Sequence, residues 1–202
     1  MNQSHALVLS TLPMITNTFY GRENELCEIR KALDPSRPGR KSLLLLGMGG
    51  SGKTQLALRH IQQDGQRYSA ILWVNASTTE HARWSFSEAA AITSSSWPRE
   101  LPVAYTGPDT DNVLKVIARL RSTRYTNWLM VIDSIDDPEE GQLSRYVPSS
   151  EYGSVLVTST RHLACNGFRP GKRLAVDGLD PQSSRALILA TAERTDMGED
   201  RE

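Results

Sequence analysis

The run Gly47-Met48-Gly49-Gly50-Ser51-Gly52-Lys53-Thr54 has the residue types and spacing of a loop that holds phosphate. Glycines let the backbone close around an anion and turn successive N–H groups toward it, where side chains would block the approach. Lys53 at this position reaches the β- and γ-phosphates of a nucleotide, and the Thr54 hydroxyl is a ligand for Mg²⁺. The setting agrees with that chemistry. Ser42-Leu43-Leu44-Leu45-Leu46 leads in as an apolar strand, and Gln55 to Ile61 leads out with helical spacing. The positive end of that helix is then expected beneath the anion.

Two further residues fall where such a loop needs partners. Asp133 closes the apolar run Trp128-Leu129-Met130-Val131-Ile132, the Walker B pattern in which a carboxylate holds Mg²⁺ through water. The plainer alternative is an Asp that ends a strand at a turn. Arg161 ends Gly153 to Arg161, another strand-like run. A cation there either reaches the γ-phosphate and senses it, or is a solvated basic residue at a strand end. A strand lying between the loop strand and the Asp133 strand decides for sensing.

These residues need a scaffold, and the chain supplies one. Its 202 residues hold one α/β domain with a sizeable core. Residues 1–18 carry few signals and read as a leader or linker. A helix is expected over Glu25 to Leu33, then an exposed loop at Pro35 to Lys41, then the glycine-loop unit. Tyr68 to Asn75 reads as a strand, Thr79 to about Thr93 and Asn112 to Arg121 as helices, and Arg173 to Val176 as a short strand. Asp180-Pro181 has the types that cap and open a final helix. Apolar strands alternating with helices imply a parallel sheet covered on both faces, with Trp73 and Trp128 in its core.

Composition narrows the partners. Lys and Arg total 23 against 23 Asp and Glu, so nothing points to nucleic acid or an anionic membrane. No apolar run is long enough for a membrane span. Cys27 and Cys165 fit no metal spacing and read as idle thiols of a reducing, cytoplasmic setting.

Five segments in order resemble the NB-ARC domain, the switch module of NOD-like receptors in the STAND class of P-loop NTPases. Phe19-Tyr20-Gly21-Arg22-Glu23-Asn24-Glu25-Leu26 resembles the hhGRExxL motif, and Gly47 to Leu58 resembles GMGGIGKTxLA. Trp128 to Asp137 resembles LLVLDNVDD, Gly153 to Arg161 resembles GSxILVTTR, and Val176 to Leu189 resembles V-x-x-L…EAxxLF. Ile71 to Ala76 is similar to the second strand of fungal-type members. The resemblance runs from Phe19 to about Ala192, within an expected domain of 19–202, and implies a three-layer sandwich around a five-stranded parallel sheet of order 5-1-4-3-2. It implies an adenine nucleotide, ATP or ADP with Mg²⁺, held by Phe19, Tyr20, Arg22, Gly47, Gly49, Gly50, Ser51, Gly52, Lys53, Thr54 and Gln55. Thr54 and Asp133 serve the metal, and Lys53, Asp133 and Arg161 form the catalytic set.

The sequence departs from that pattern at two places. Many active relatives carry an acidic residue directly after the Walker B Asp, where Ser134 stands here, which implies slow hydrolysis or tight nucleotide holding. The winged-helix part, with its Gly-x-Pro and Met-His-Asp motifs, has no counterpart up to Glu202. The resemblance then implies a nucleotide switch that signals through oligomerisation, with effector and repeat domains outside this chain. The alternatives are a P-loop small-molecule kinase and an interaction module that keeps the fold without nucleotide.

Overall fold

The computed structural model describes residues 6–96, 110–121, 126–136, 146–161 and 169–199. In chain order these form β1 (Leu7–Val8), α1 (Glu23–Ala32), β2 (Lys41–Leu46), α2 (Lys53–Asp64) and β3 (Ala70–Asn75). Then follow α3 (Thr79–Ser96), α4 (Thr110–Leu120), β4 (Trp128–Asp133), β5 (Ser154–Ser159), β6 (Lys172–Ala175) and α5 (Pro181–Glu199). Trp97, Asp137, His162 and Cys165 lie outside the described residues. Pro181 opens α5, as its fixed φ suits, and Asp180 Oδ1 accepts the N–H groups of Gln182 and Ser183, both at 2.9 Å.

All strand pairs are parallel, in the order β1-β3-β4-β5-β2-β6. This corrects the expected sheet of five strands in order 5-1-4-3-2, because the sheet has six. The extra strand is Leu7–Val8, inside the segment read as a leader. Leu7 N–H donates to Ser69 O at 3.1 Å and Leu9 N–H to Ile71 O at 2.8 Å. Ser10 then continues the pairing with its side chain, its Oγ donating to Trp73 O at 2.7 Å and accepting from Trp73 N–H at 2.8 Å.

Alternate residues of each strand feed two cores, as a sheet covered on both faces requires. Leu44, Leu72, Met130, Ile132 and Val157 pack against Phe86 of α3 and Val116 of α4. Leu43, Leu45, Trp73, Val131 and Leu156 pack against Ile29 of α1 and Leu56 of α2. Trp128 fills the first core and donates its indole N–H to Leu120 O at 2.7 Å. Gly153, at φ 83°, is required beneath it, because an added Cβ would sit 2.2 Å from the Trp128 ring.

The far end of α2 is pinned by a buried polar cluster. His60 Nε2 lies 3.0 Å from the Tyr68 hydroxyl, which donates to Leu33 O at 3.1 Å. His60 Nδ1 lies 3.3 Å from Asp64 Oδ2 without hydrogen-bond geometry, and Arg30 and Arg67 face Asp64 from outside. Burial pushes the imidazole down to about 4, against the pull of Asp64, so it is neutral at pH 7. The unfolded chain therefore takes up this proton first as pH falls, and folding stability drops between about pH 6.5 and 4. The loss expected in urea unfolding at pH 4.5 against pH 7 is on the order of 3 kcal/mol. His60→Gln should flatten that slope.

Candidate functional site

Strand β2 delivers its last residue, Leu46, opposite Ser159 of β5, and the Gly47 N–H donates to Ser159 O at 3.3 Å. The loop that follows is shaped by backbone. Gly50 and Gly52 have φ of 78° and 91°, and Gly52 in that left-handed state caps α2. Gly47 has no room for a side chain, since a Cβ would stand 2.2 Å from Val176 O beyond β6.

Lys53 opens α2 and folds back over the loop. Its ammonium donates to Gly47 O at 2.9 Å and Met48 O at 2.8 Å, which leaves one of its three donors for an anion. Ser51 Oγ is buried with no hydrogen-bond partner. A buried hydroxyl without a partner is costly, and a phosphate oxygen at this loop would supply one. The residues fit the phosphate that their sequence predicts.

Beside the loop, Asp133 Oδ1 accepts the Thr54 hydroxyl at 2.9 Å and the Thr158 hydroxyl at 2.6 Å. Thr54 and Asp133 are thus together, as expected. One carboxylate and one hydroxyl suit Mg²⁺, which takes few protein ligands and completes its shell with water and phosphate oxygens. Thr158 is a site residue that sequence reasoning missed. Its signal was a hydroxyl directly after the apolar run Val155-Leu156-Val157, three positions before Arg161.

Strand β5 lies between β2 and β4, so its carboxyl end emerges beside the phosphate loop. Arg161 stands two residues past β5 on the loop side, exposed, with its N–H donating to Ser159 Oγ at 3.1 Å. Ser134 follows Asp133 with φ 62°, and its N–H donates to Thr158 Oγ1 at 2.8 Å. Its hydroxyl is no base. Asp136, the nearest described carboxylate along the chain, accepts Thr160 N–H at 2.7 Å and so ties the segment after β4 to the segment after β5.

The other wall begins at Gly21 and Arg22, both left-handed, with φ of 64° and 70°. Arg22 donates to Ser51 O at 3.1 Å, to Asp177 O at 2.5 Å and to Glu25 Oε1 at 2.7 Å. It thereby ties the phosphate loop to the segment between β6 and α5. Next to it a cavity of about 290 Å³ is lined by Thr18, Phe19, Tyr20, Gly52 and Leu187, among others. Arg59 covers the Phe19 ring, 5.0 Å from its centroid. Phe19, Tyr20, Arg22, Gly50, Ser51, Gly52 and Gln55 all line this cavity, so the structure gathers most of the residues assigned to nucleotide. Gln55 does so with its amide turned to backbone. Its Oε1 accepts Thr16 N–H at 2.8 Å and its Nε2 donates to Met14 O at 3.2 Å.

Residues 18–149 match the family model described as the AAA ATPase domain. The chain belongs to that family. This AAA ATPase domain is therefore a P-loop NTPase, and membership implies nucleotide binding with Mg²⁺ in general. A search of curated proteins finds no match to it. Among solved structures it is similar to the crystal structure of Cdc6p from Pyrobaculum aerophilum, with a TM-score of 0.63 and 14% identity. The likeness covers 92% of this chain and 53% of that one, so the chain spans about half the length of that protein. At this identity the likeness is one of fold.

Arg22 gives a direct test of how the two walls are joined. Its side chain is 8% exposed, and two carbonyls depend on it. Arg22→Ala should cost about 2 kcal/mol in urea unfolding. Arg22→Lys should recover little, because a single ammonium cannot reproduce the guanidinium fork.

Proposed function

We propose that this AAA ATPase domain is a Mg²⁺-dependent switch module of the NB-ARC type, which holds ATP or ADP and turns it over slowly. The observation that carries the reading is Arg22. It lies in the segment that resembles hhGRExxL, and it hydrogen-bonds both the phosphate loop and the segment leading into α5. A change at Ser51 is then felt at Asp177, which is what a switch needs beyond mere binding.

In this reading the backbone N–H groups of 47–54 and the Lys53 ammonium bind the phosphates. Thr54 and Asp133 hold Mg²⁺, which would supply charge neutralisation at the β- and γ-phosphates. Arg161 reports whether the γ-phosphate is there. Phe19 and Tyr20 border the base, with Arg22 beside them. Slow turnover follows from Ser134, which cannot accept a proton from water at the place where a carboxylate would. The proposal extends to an adenine nucleotide as ligand, a cytoplasmic setting, and signalling through self-association or through domains outside this chain. Those last points rest on the resemblance alone.

Denaturing the purified protein and identifying the released nucleotide tests the reading. Co-purified ADP or ATP, absent from Lys53→Ala, is the expected result, with a Mg²⁺-dependent thermal shift on adding ATP. No nucleotide in the wild type, together with indifference to Mg-ATP, would sink it. Phosphate transfer to an added small-molecule acceptor would point to a kinase instead.

A further inference from the structure

Gln55 was assigned to nucleotide by the resemblance, but its amide is spent on the chain's own backbone. The carbonyl end accepts Thr16 N–H at 2.8 Å and the amino end donates to Met14 O at 3.2 Å. This orientation of the amide is fixed by its partners, since a backbone N–H only donates and a carbonyl only accepts. Gln55 therefore grips the main chain at alternate residues, as a neighbouring strand would.

The gripped segment leads into the cavity wall. Thr16 Oγ1 accepts Thr18 N–H at 3.2 Å and lies 3.1 Å from both Thr18 O and Thr18 Oγ1, a closed local turn. Thr16, Thr18, Phe19 and Tyr20 then line the cavity beside Gly50 and Gly52. Upstream, Thr11 is held by Glu88 of α3 through its N–H at 3.3 Å and its hydroxyl at 2.9 Å. Between Thr11 and Phe19, the hydrogen bonds from described residues to another element are those of Gln55. Gln55 is the third residue of α2, directly after Lys53 and Thr54. One helical turn thus carries the phosphate contacts and also the clamp on the opposite wall.

We infer that Gln55 is a positioning residue for base selectivity, holding the 14–18 segment at the distance from the phosphate loop that one purine fits. The inference rests on the nucleotide-binding reading and adds to it the residue that sets which base is accepted. Gln55 acts through Thr16 and touches the backbone, so its loss loosens the base wall and leaves the phosphate loop intact. A base is read by fixed donors and acceptors along its edge, and a wall free to shift by about 1 Å loses that discrimination.

The test compares Mg-ATP, Mg-GTP and Mg-tripolyphosphate, which has no base, by calorimetry on wild type and Gln55→Met first freed of any co-purified nucleotide. Methionine keeps the length and removes both hydrogen bonds. The expected result is about a tenfold loss of ATP affinity, a narrowed preference for ATP over GTP, and tripolyphosphate binding unchanged within about twofold. If the Met variant melts early without ligand, Gln55→Glu serves, because it keeps the acceptor for Thr16 N–H. Its added charge acts equally on both triphosphates, so its ATP-to-GTP ratio should fall between those of wild type and Met. An unchanged ratio overturns the inference, as does an equal loss for ATP and tripolyphosphate, which would put Gln55 in the phosphate site. Wild-type protein that binds tripolyphosphate but does not distinguish ATP from GTP also overturns it, while leaving the nucleotide reading standing. Wild-type protein that binds none of the three overturns both.

Discussion

A single buried carboxylate oxygen joins the parts of this site. Asp133 Oδ1 accepts hydrogen bonds from the hydroxyls of Thr54 on α2 and Thr158 on β5, and Asp133 itself ends β4. Asp133 is 7% exposed, and a polar group that far from water is costly unless it is hydrogen-bonded. The two hydroxyls meet that need, and in doing so they fix α2 against two adjacent strands. The parallel register makes it possible. Leu129 of β4 pairs with Ser154 of β5, and Leu46 of β2 pairs with Ser159, so the three carboxyl ends emerge side by side. Open α/β sheets bind ligands at that edge for this reason.

Backbone strain is placed where the site needs sharp changes of direction. Ser134 and Arg22 are the two non-glycine residues with positive φ among those described. Such a conformation costs roughly 1–2 kcal/mol for a residue with a Cβ. At Ser134 the cost is offset by the bond from its N–H to Thr158, which leads the chain away from the Mg²⁺ side toward Ile135. At Arg22 it is offset by three hydrogen bonds from one guanidinium. In both cases the strained residue turns the chain next to the phosphate loop. The strain accompanies function-bearing geometry rather than a loose surface turn.

What the sequence made legible follows from where the signals are local. The glycine loop, its strand and its helix are contiguous, so their roles could be read from spacing. Continuous apolar runs at β2 to β5 gave the parallel sheet, since strands buried on both faces lose the alternating pattern. Leu7–Val8 was not legible, because two residues show no periodicity and their pairing depends on Ile71 and Ser69 more than sixty positions away. Thr158 was hidden for a related reason. A threonine in a strand is ordinary until a carboxylate on the next strand gives it a partner. Gln55 was placed at the site by the resemblance, and the bonds of its amide to Thr16 and Met14 were not legible, because they join segments about forty positions apart.

That last difference bears on how such a domain answers its ligand. Residues 9–18 run from the edge of the sheet across α3 and α2 to the cavity beside the phosphate loop, tied by Ser10, by Thr11 with Glu88, and by Gln55. Arg22 then ties the same wall to the segment before α5. Of these bonds, those of Gln55 and the one from Arg22 to Ser51 O have a partner on α2 or the loop before it. Bonds of this kind are individually worth about 1 kcal/mol, so none fixes the arrangement alone. The bonds of Gln55 to the 14–16 segment and of Arg22 to Ser51 O both end on α2 or the loop before it, so the position of that one helix sets both walls of the cavity.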